Sequence, residues 1–184
     1  PFVTSTLQQA AGSRLRLSPE TTMQVAQSLY EDGLITYMRT DSVALSPDFC
    51  EQARCWLAEH DPDNVPKKVA KHRSSKSAQE AHEAIRPTDL FVPSTQLRQK
   101  LSADAFALYV LIWKRAVASQ CQPARLQQTR ILTQSGSIFW QAKGQTIVFA
   151  GYTKYWSNLA ADLVLPTLQK GQPLTLAKAA ADQK

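Results

Sequence analysis

The sequence has few cysteines and lacks the long apolar runs of membrane proteins. No stretch of about 18 consecutive apolar residues occurs, which argues against a membrane-spanning helix. No signal peptide is visible. The chain has 3 cysteines, and this odd number without paired spacing argues for a reducing compartment. The chain also lacks an initiator methionine and ends in a polar tail, so we expect a fragment of a longer protein.

Close metal-binding spacings are absent as well. Cys50 and Cys55 are separated by four residues and His60 follows, whereas structural zinc sites commonly use a closer Cys-x2-Cys pair. Cys50 fits better on an apolar helical stripe with Phe49 and Leu57. No metal site is therefore predicted at these cysteines.

Acidic residues are scarce in the second part of the chain. The net charge is +6; residues 1–119 carry 14 Lys+Arg against 13 Asp+Glu, whereas residues 120–184 carry 7 against 2. Residues 67–76 contain no acid but five bases: Lys67, Lys68, Lys71, Arg73 and Lys76. This stretch is either a solvated basic loop or a site of non-specific phosphate attraction. The charge likewise fits a polyanion partner or a merely basic soluble domain.

The most informative stretch is residues 33–42, with the sequence GLITYMRTDS. If it is extended, Tyr37, Arg39 and Asp41 share one face. A phenol can act as a nucleophile, and a guanidinium beside it can hold a phosphate and stabilise its charge. The alternative is a half-buried aromatic residue next to a solvated charge.

The first two thirds of the chain show helical periodicity. Serine followed by proline at Ser18 and Ser46 predicts capped helix starts, and Ser102 predicts another. Gly33 is placed to end the second helix. The predicted helices span residues 4–17, 19–32, 47–59 and 103–120, with a helical turn over 79–85 and a connection over 90–101. The last helix should be the core helix, with an apolar face formed by Phe106, Tyr109, Val110, Trp113 and Val117.

Beyond Pro123 the period changes to that of strands. Residues 126–133 and 137–149 alternate around a turn at 134–136, and residues 174–178 are a further strand candidate. The predicted class is α+β: a mainly helical, winged-helix-like (CAP-like) domain over 1–122, then an incomplete antiparallel β-rich piece over 123–184.

Three motifs together resemble type IA DNA topoisomerases, most closely the bacterial topoisomerase I branch. Residues 33–42 are similar to the family's active-site tyrosine motif. Residues 1–10, PFVTSTLQQA, are similar to its upstream segment, and residues 79–88, QEAHEAIRPT, to its downstream histidine segment. The three occur in the family's order and at about its spacing. A motif is a hypothesis until its structural context is known.

The resemblance implies that Tyr37 attacks a phosphodiester and forms a 5′-phosphotyrosine link, without ATP. Because an unperturbed phenol has a pKa of about 10, Arg39 would stabilise the phenolate and the phosphate charge. His82 would bind a phosphate or relay a proton. Asp41, with Thr40 in a supporting role, would orient Arg39 or cap the next segment. The residues expected to contact DNA are Arg86, Lys67, Lys68, Lys71 and Arg73; for Arg86, capping a turn is an equal alternative.

The family's metal carboxylates, catalytic glutamate and lysine belong to a Toprim domain that this chain lacks. An Asp-x-Asp pattern occurs only at residues 61–63, in an expected loop. Mg²⁺ is therefore expected in the intact enzyme but not here, and the isolated chain is expected to be inactive. The expected partners are single-stranded DNA and the remaining domains, in the nucleoid-associated cytoplasm, with no membrane.

Two other interpretations remain open. Tyrosine recombinases also use tyrosine, histidine and arginine, but their His-x-x-Arg signature precedes the tyrosine. Here His82 and Arg86 are separated by three residues and follow Tyr37. The stronger rival is a non-catalytic DNA-binding winged-helix module in which Tyr37 is structural.

Overall fold

The protein has an α+β fold, seen in a computed structural model that describes residues 1–70, 72, 83–159 and 161–178. Helices come first and a β-hairpin follows, which confirms the predicted α+β class, whereas the winged-helix-like (CAP-like) arrangement remains a prediction. The elements are α1 (Thr4–Leu15), α2 (Pro19–Glu31), α3 (Pro47–His60), α4 (Ser94–Lys100), α5 (Ala103–Gln120), β1 (Arg125–Ser135) and β2 (Ile138–Phe149), with short 3-10 helices at Pro62–Asn64 and Gly151–Lys154.

The serine caps predicted from the sequence are present. The hydroxyls of Ser18, Ser46 and Ser102 each accept a hydrogen bond from the main-chain N–H three residues later. Such a bond satisfies one of the four N–H groups that a helix leaves unpaired at its start. The helices α2, α3 and α5 therefore begin where the sequence places them.

The end of α2 follows from local backbone chemistry. Gly33 adopts a φ of +72°, a conformation that glycine reaches without steric cost. The N–H of Leu34 then donates to the carbonyl of Leu29 at 2.9 Å. Gly33 therefore lies in the turn that ends α2, as predicted, and the tyrosine segment follows this turn.

Three predicted local structures are wrong. Residues 90–101 are not a plain connection, because α4 forms within them and buries Leu97. Residues 83–85 are extended rather than helical, since Ile85 pairs with Phe2; residues 79–82 lie outside the described part. Residues 174–178 form no strand. In the first two cases tertiary contacts override local preference.

The core of the helical part is built around α5, which contacts α1, α2, α3 and α4. Because neighbours surround it, its buried side extends beyond the predicted stripe. Tyr109 and Val117 are buried as predicted, whereas Phe106, Val110 and Trp113 are only half-buried. The side chains that the prediction missed are Ala105, Leu108, Leu111, Ile112, Ala116, Ala118 and Gln120.

The chain divides into two compact units. The first comprises the described residues of 1–125 and 148–159, and the second those of 126–147 and 161–178. In the first unit, Gly151 has a φ of +53°, and an added Cβ would lie 2.6 Å from main-chain atoms of residues 122–124. The predicted domain boundary at residue 122 remains a prediction.

The second unit is a two-stranded hairpin followed by a largely exposed segment. Gly136, with a φ of +59°, makes the turn between β1 and β2. Gln145 pairs with Leu163, and Gly144 lies so close to the Leu163 carbonyl that a Cβ would be 2.6 Å from it. Large apolar side chains on its strands remain exposed: Leu132, Ile138, Phe139 and Trp140. Two strands bury little surface by themselves.

None of the helices formed by the described residues combines the length and the apolar character needed to cross a lipid bilayer.

Candidate functional site

The tyrosine segment alternates between solvent and core from Tyr37 to Ser42. Its exposed side chains are Tyr37, Arg39 and Asp41, and its buried ones are Met38, Thr40 and Ser42. The chain bends at residues 38 and 39 and forms no regular strand. The buried side chains fix the segment to the helical unit, which leaves a phenol, a guanidinium and a carboxylate facing solvent.

Tyr37 is accessible. It is 45% exposed, and its hydroxyl forms no hydrogen bond with another described residue. Its ring packs edge to face against Tyr30 of α2, with the centroids 5.3 Å apart. The contact restrains the ring while the hydroxyl stays open, which is the state that a nucleophile requires.

The first turn of α1 holds one side of the tyrosine segment. The Thr4 hydroxyl lies 2.7 Å from the Met38 carbonyl and 3.1 Å from the Thr40 carbonyl, so its single hydrogen serves one or both. The same oxygen accepts a hydrogen bond from the Thr40 N–H at 2.9 Å. The Thr4 N–H donates to the Thr40 carbonyl at 3.0 Å. A residue of the upstream motif therefore fixes the backbone on both sides of Arg39.

Thr36 fixes the other side of the segment. Its N–H donates to the Arg86 carbonyl at 2.9 Å, and its hydroxyl donates to the Ala84 carbonyl at 2.8 Å. The Arg86 N–H returns a hydrogen bond to the Thr36 hydroxyl at 3.0 Å. Ile35 and Pro87 extend the pairing as an antiparallel bridge. The residue before Tyr37 is thereby joined to the downstream motif.

The upstream and downstream motifs also meet directly. The Ile85 N–H donates to the Phe2 carbonyl at 2.9 Å, and the Ala84 N–H donates to the Ala44 carbonyl at 2.8 Å. All three motif segments are therefore connected by main-chain hydrogen bonds. His82, Lys71 and Arg73 lie outside the described residues, so their predicted roles remain predictions.

Arg86 is largely engaged within the protein. Its guanidinium donates to Glu83 at 2.7 Å, to the Pro87 carbonyl at 3.0 Å and to Ser46 at 3.3 Å. It also lies over the Phe49 ring, 4.8 Å from the centroid, and only 14% of its side chain is exposed. These contacts favour the turn-capping alternative over phosphate binding.

Glu83 is the acceptor at the centre of this network. It accepts hydrogen bonds from Arg86 and from the Ser46 N–H at the start of α3. Partial burial alone would raise the pKa of its carboxyl, but the hydrogen bonds from Arg86 and Ser46 outweigh burial and lower that pKa. Glu83 therefore stays ionised and ties the downstream motif to α3.

Other predicted residues have simpler surroundings. Lys67 and Lys68 are exposed, as a phosphate-attracting or solvated loop requires. Asp41 is exposed and forms no ion pair with another described residue. Thr40 is buried, and its hydroxyl accepts a hydrogen bond from the Ser42 N–H at 3.0 Å. Thr40 therefore supports the turn after Arg39.

The Asp-x-Asp pattern at residues 61–63 does not fit a magnesium site. The Asp61 carboxylate accepts hydrogen bonds from Tyr155 at 2.8 Å and Asn64 at 3.2 Å and pairs with Lys154 at 2.9 Å. It links the end of α3 to the second 3-10 helix, both within the first unit. A carboxylate already paired with an ammonium group is a poor ligand for a cation.

Three residues around the site carried no functional assignment from sequence. From the sequence, Thr4 was expected only to begin the first helix and Tyr30 only to lie within the second, and Thr36 had no role. A weak signal exists for Thr4 and Thr36, since both lie inside motifs of the resemblance. No pattern in the sequence indicates that Tyr30 and Tyr37 are in contact. Their rings meet in the structure, on either side of the turn at Gly33.

Comparison with known proteins supports the resemblance. The family model described as DNA topoisomerase matches residues 1–184. The DNA topoisomerase 1 of Salmonella typhimurium is 42% identical over 180 residues, and the match covers 96% of this chain and 21% of that protein. The DNA topoisomerase 1 of Pseudomonas aeruginosa is 44% identical over 182 residues, and the match covers 97% of this chain and 21% of that protein. The chain thus spans about a fifth of the length of these curated relatives.

A solved structure agrees. Full-length topoisomerase I from Thermotoga maritima superimposes with a TM-score of 0.78 at 37% identity, covering 92% of this chain and 29% of that one. The exposed tyrosine, the three joined motif segments and these matches give one answer: the chain belongs to the DNA topoisomerase family, within its bacterial topoisomerase I branch.

Proposed function

We propose that this chain supplies the nucleophilic tyrosine of a type IA DNA topoisomerase, which cleaves and rejoins one DNA strand and so relaxes negative supercoils. The observation that carries the proposal is the exposed Tyr37 beside the exposed Arg39, on a segment fixed to both flanking motifs. A tyrosine with only a structural role would be expected to bury its ring or hydrogen-bond its hydroxyl.

The reaction exchanges one phosphate ester for another. The Tyr37 oxygen attacks phosphorus, the bond from phosphorus to the 3′-oxygen breaks, and that oxygen leaves as a hydroxyl after taking a proton. The phenol proton goes to a neighbouring base. After another strand has passed through the gap, the 3′-hydroxyl gives up its proton and attacks the phosphorus of the phosphotyrosine. The phosphodiester is restored, the bond from phosphorus to the Tyr37 oxygen breaks, and the phenol takes back a proton. The ester bonds before and after are similar in energy, so no ATP is required.

The other site residues have proposed roles in this scheme. Arg39 holds a non-bridging phosphate oxygen and stabilises the charge on the phenolate. Asp41 orients Arg39, and Thr40 shapes the turn between them. His82 binds phosphate or relays a proton. Lys67, Lys68, Lys71 and Arg73 attract backbone phosphates; Arg86 adds a DNA contact only if its bond with Glu83 opens.

We propose that the remaining parts of the site come from a longer polypeptide. A Toprim domain would supply the catalytic acid, the lysine and the carboxylates that hold Mg²⁺, which positions DNA and neutralises charge when bound. The same proposal includes a winged-helix-like (CAP-like) arrangement, a domain boundary at residue 122 and a nucleoid-associated cytoplasmic location. Single-stranded DNA is the proposed substrate.

The test is covalent trapping on a labelled single strand. In the full-length polypeptide, Tyr37→Phe should abolish the denaturation-resistant adduct and leave DNA affinity nearly unchanged, because only the attacking oxygen is lost. Tyr30→Phe is the matched control, since it removes a phenol oxygen from the neighbouring ring. An adduct from the Tyr37→Phe protein would refute the nucleophile. Unchanged relaxation by that protein would favour the alternative of a non-catalytic DNA-binding module.

The isolated chain offers a second test. With Mg²⁺ and a labelled single strand it should form no adduct, because the acid, the lysine and the metal carboxylates of the Toprim domain are missing and the strand is not clamped in line. Correct positioning is worth roughly 7–11 kcal/mol of the barrier. A clear adduct that depends on Mg²⁺ would show that the chain is sufficient for cleavage.

A further inference from the structure

We infer that Thr4 is a positioning residue for the cleavage reaction: its hydroxyl holds the bend at Met38 and Arg39 and so orients Arg39 relative to Tyr37. The inference rests on the proposed function and adds Thr4 to the residues that take part in it. Thr4 is the first residue of α1, and its hydroxyl contacts main-chain atoms of the tyrosine segment.

The contacts of Thr4 are concentrated around one residue. Its hydroxyl and N–H contact Met38 and Thr40, the two neighbours of Arg39, in four distances between 2.7 and 3.1 Å. The hydroxyl acts both as donor, to the Met38 and Thr40 carbonyls, and as acceptor, from the Thr40 N–H. Fixing the peptide groups on both sides of Arg39 also sets the direction in which its side chain leaves the backbone, along the Cα–Cβ bond.

Local secondary structure does not provide this restraint. The chain bends at Met38 and Arg39 and has no ladder of strand hydrogen bonds there. Thr36 restrains the backbone before Tyr37, and Thr4 restrains it after Tyr37. Without the Thr4 hydroxyl, the buried Met38 side chain still anchors the segment, but the orientation of the intervening peptides loosens.

Loss of orientation has a kinetic rather than a binding cost. A displacement of about 1 Å at reacting groups can cost on the order of a hundredfold in rate. Arg39 remains exposed and charged in a Thr4 variant, so its attraction for DNA persists. Thr4 should therefore influence the rate of cleavage much more than the affinity for DNA.

The first turn of α1 contains a matched control. Thr6 is exposed, and among the described residues its hydroxyl bonds only to Val3, from whose N–H it accepts at 3.0 Å and to whose carbonyl it lies at 3.1 Å. Thr4→Val and Thr6→Val each replace a hydroxyl by a methyl group of similar size in the same helical turn. Only the first removes a bond to the tyrosine segment.

The experiment measures single-turnover adduct formation on a labelled single strand, DNA affinity and thermal unfolding, in the full-length polypeptide. Thr4→Val should lower the adduct rate about tenfold to a hundredfold, with affinity changed less than about threefold. Thr4→Ser should restore the rate to within about threefold, because it keeps the hydroxyl. Thr6→Val should match the parent protein. If Thr4→Val does not fold, Thr4→Cys replaces it, with a weak donor of similar size.

A double-mutant cycle with Arg39→Ala separates positioning from a general loss of stability. If Thr4 acts by orienting Arg39, Thr4→Val should cost little further rate in the Arg39→Ala background. Equal costs in both backgrounds, or a parent-like rate for Thr4→Val, would overturn the inference. Tyr37→Phe is measured in parallel. If that variant forms an adduct, Tyr37 is not the nucleophile and the proposed function is refuted. If Tyr37→Phe forms no adduct but Thr4→Val forms it at the parent rate, only the role of Thr4 is refuted.

Discussion

The rings of Tyr30 and Tyr37 meet edge to face, with centroids 5.3 Å apart and planes inclined at 66°. Tyr30 is 41% exposed and Tyr37 45%, so the pair lies at the surface and adds little to the core. The contact limits the rotation of the Tyr37 ring. It therefore restrains the proposed nucleophile without covering its hydroxyl.

The Tyr30 ring should matter for cleavage and its hydroxyl should not. Tyr30→Phe keeps the contact and should cleave at nearly the parent rate, whereas Tyr30→Ala should lower the adduct rate about threefold to tenfold, the equivalent of an aromatic pair worth about 0.5–1.5 kcal/mol. Phe91→Ala, at another exposed aromatic residue, is the control. Equal rates for the parent and Tyr30→Ala would show that the contact has no role.

Arg39 should contribute through the planar shape of its guanidinium as well as through its charge. Arg39→Ala should reduce adduct formation by about 10²–10³, the usual cost of losing one donor to a developing charge. Arg39→Lys should be impaired less, because the charge remains and the bidentate fork is lost. Arg130→Lys in the exposed strand β1 is the matched control. If Arg39→Lys behaves like the parent, bidentate contact is not required.

Binding of single-stranded DNA should be weak and sensitive to salt. Each phosphate contact on a single strand contributes roughly 0.7 to the slope of log affinity against log salt. Replacing both Lys67 and Lys68 by alanine should therefore reduce the slope by roughly 1.4, as measured by titrating a labelled oligonucleotide. The control pair is Lys100 and Lys114, exposed lysines of α4 and α5. An unchanged slope would show that Lys67 and Lys68 make no phosphate contacts and are only solvated.

Glu83 should stabilise the fold in a manner that depends on pH. Its lowered folded pKa means that its contribution is complete above the unfolded pKa of a glutamate and disappears as the pH falls through the folded pKa. Glu83→Gln should therefore reduce the free energy of unfolding at neutral pH, by roughly 1–3 kcal/mol for hydrogen bonds to a charged group. The difference should shrink under acid conditions.

Thermal or urea unfolding of the parent protein and of Glu83→Gln between pH 7 and about pH 3 measures how the difference in their free energies of unfolding depends on pH. Glu59→Gln, at an exposed position of α3, should show no comparable change. A Glu83→Gln difference that is constant over the whole pH range would contradict an ionised Glu83.

The sequence by itself determined the starts of α2, α3 and α5 and singled out the tyrosine segment. Ser18, Ser46 and Ser102 cap their helices through bonds three residues away, and Gly33 turns the chain through its own backbone freedom. These are local interactions, so a sequence pattern contains all the partners involved. The alternation from Tyr37 to Ser42 is also local, and the exposed side of that segment could be predicted.

Only the tertiary structure decided what holds the site. Thr4 and Met38 are 34 residues apart in the chain, and Thr36 and Ala84 are 48 apart, so no local pattern specifies their hydrogen bonds. The limit applies only in part to Arg86, whose guanidinium could bind phosphate or protein. Its partner Glu83 is three residues away, but its partner Ser46 is 40 residues away and is brought to it by the fold. Long-range packing fixes such partners because burying a polar group requires that it find one.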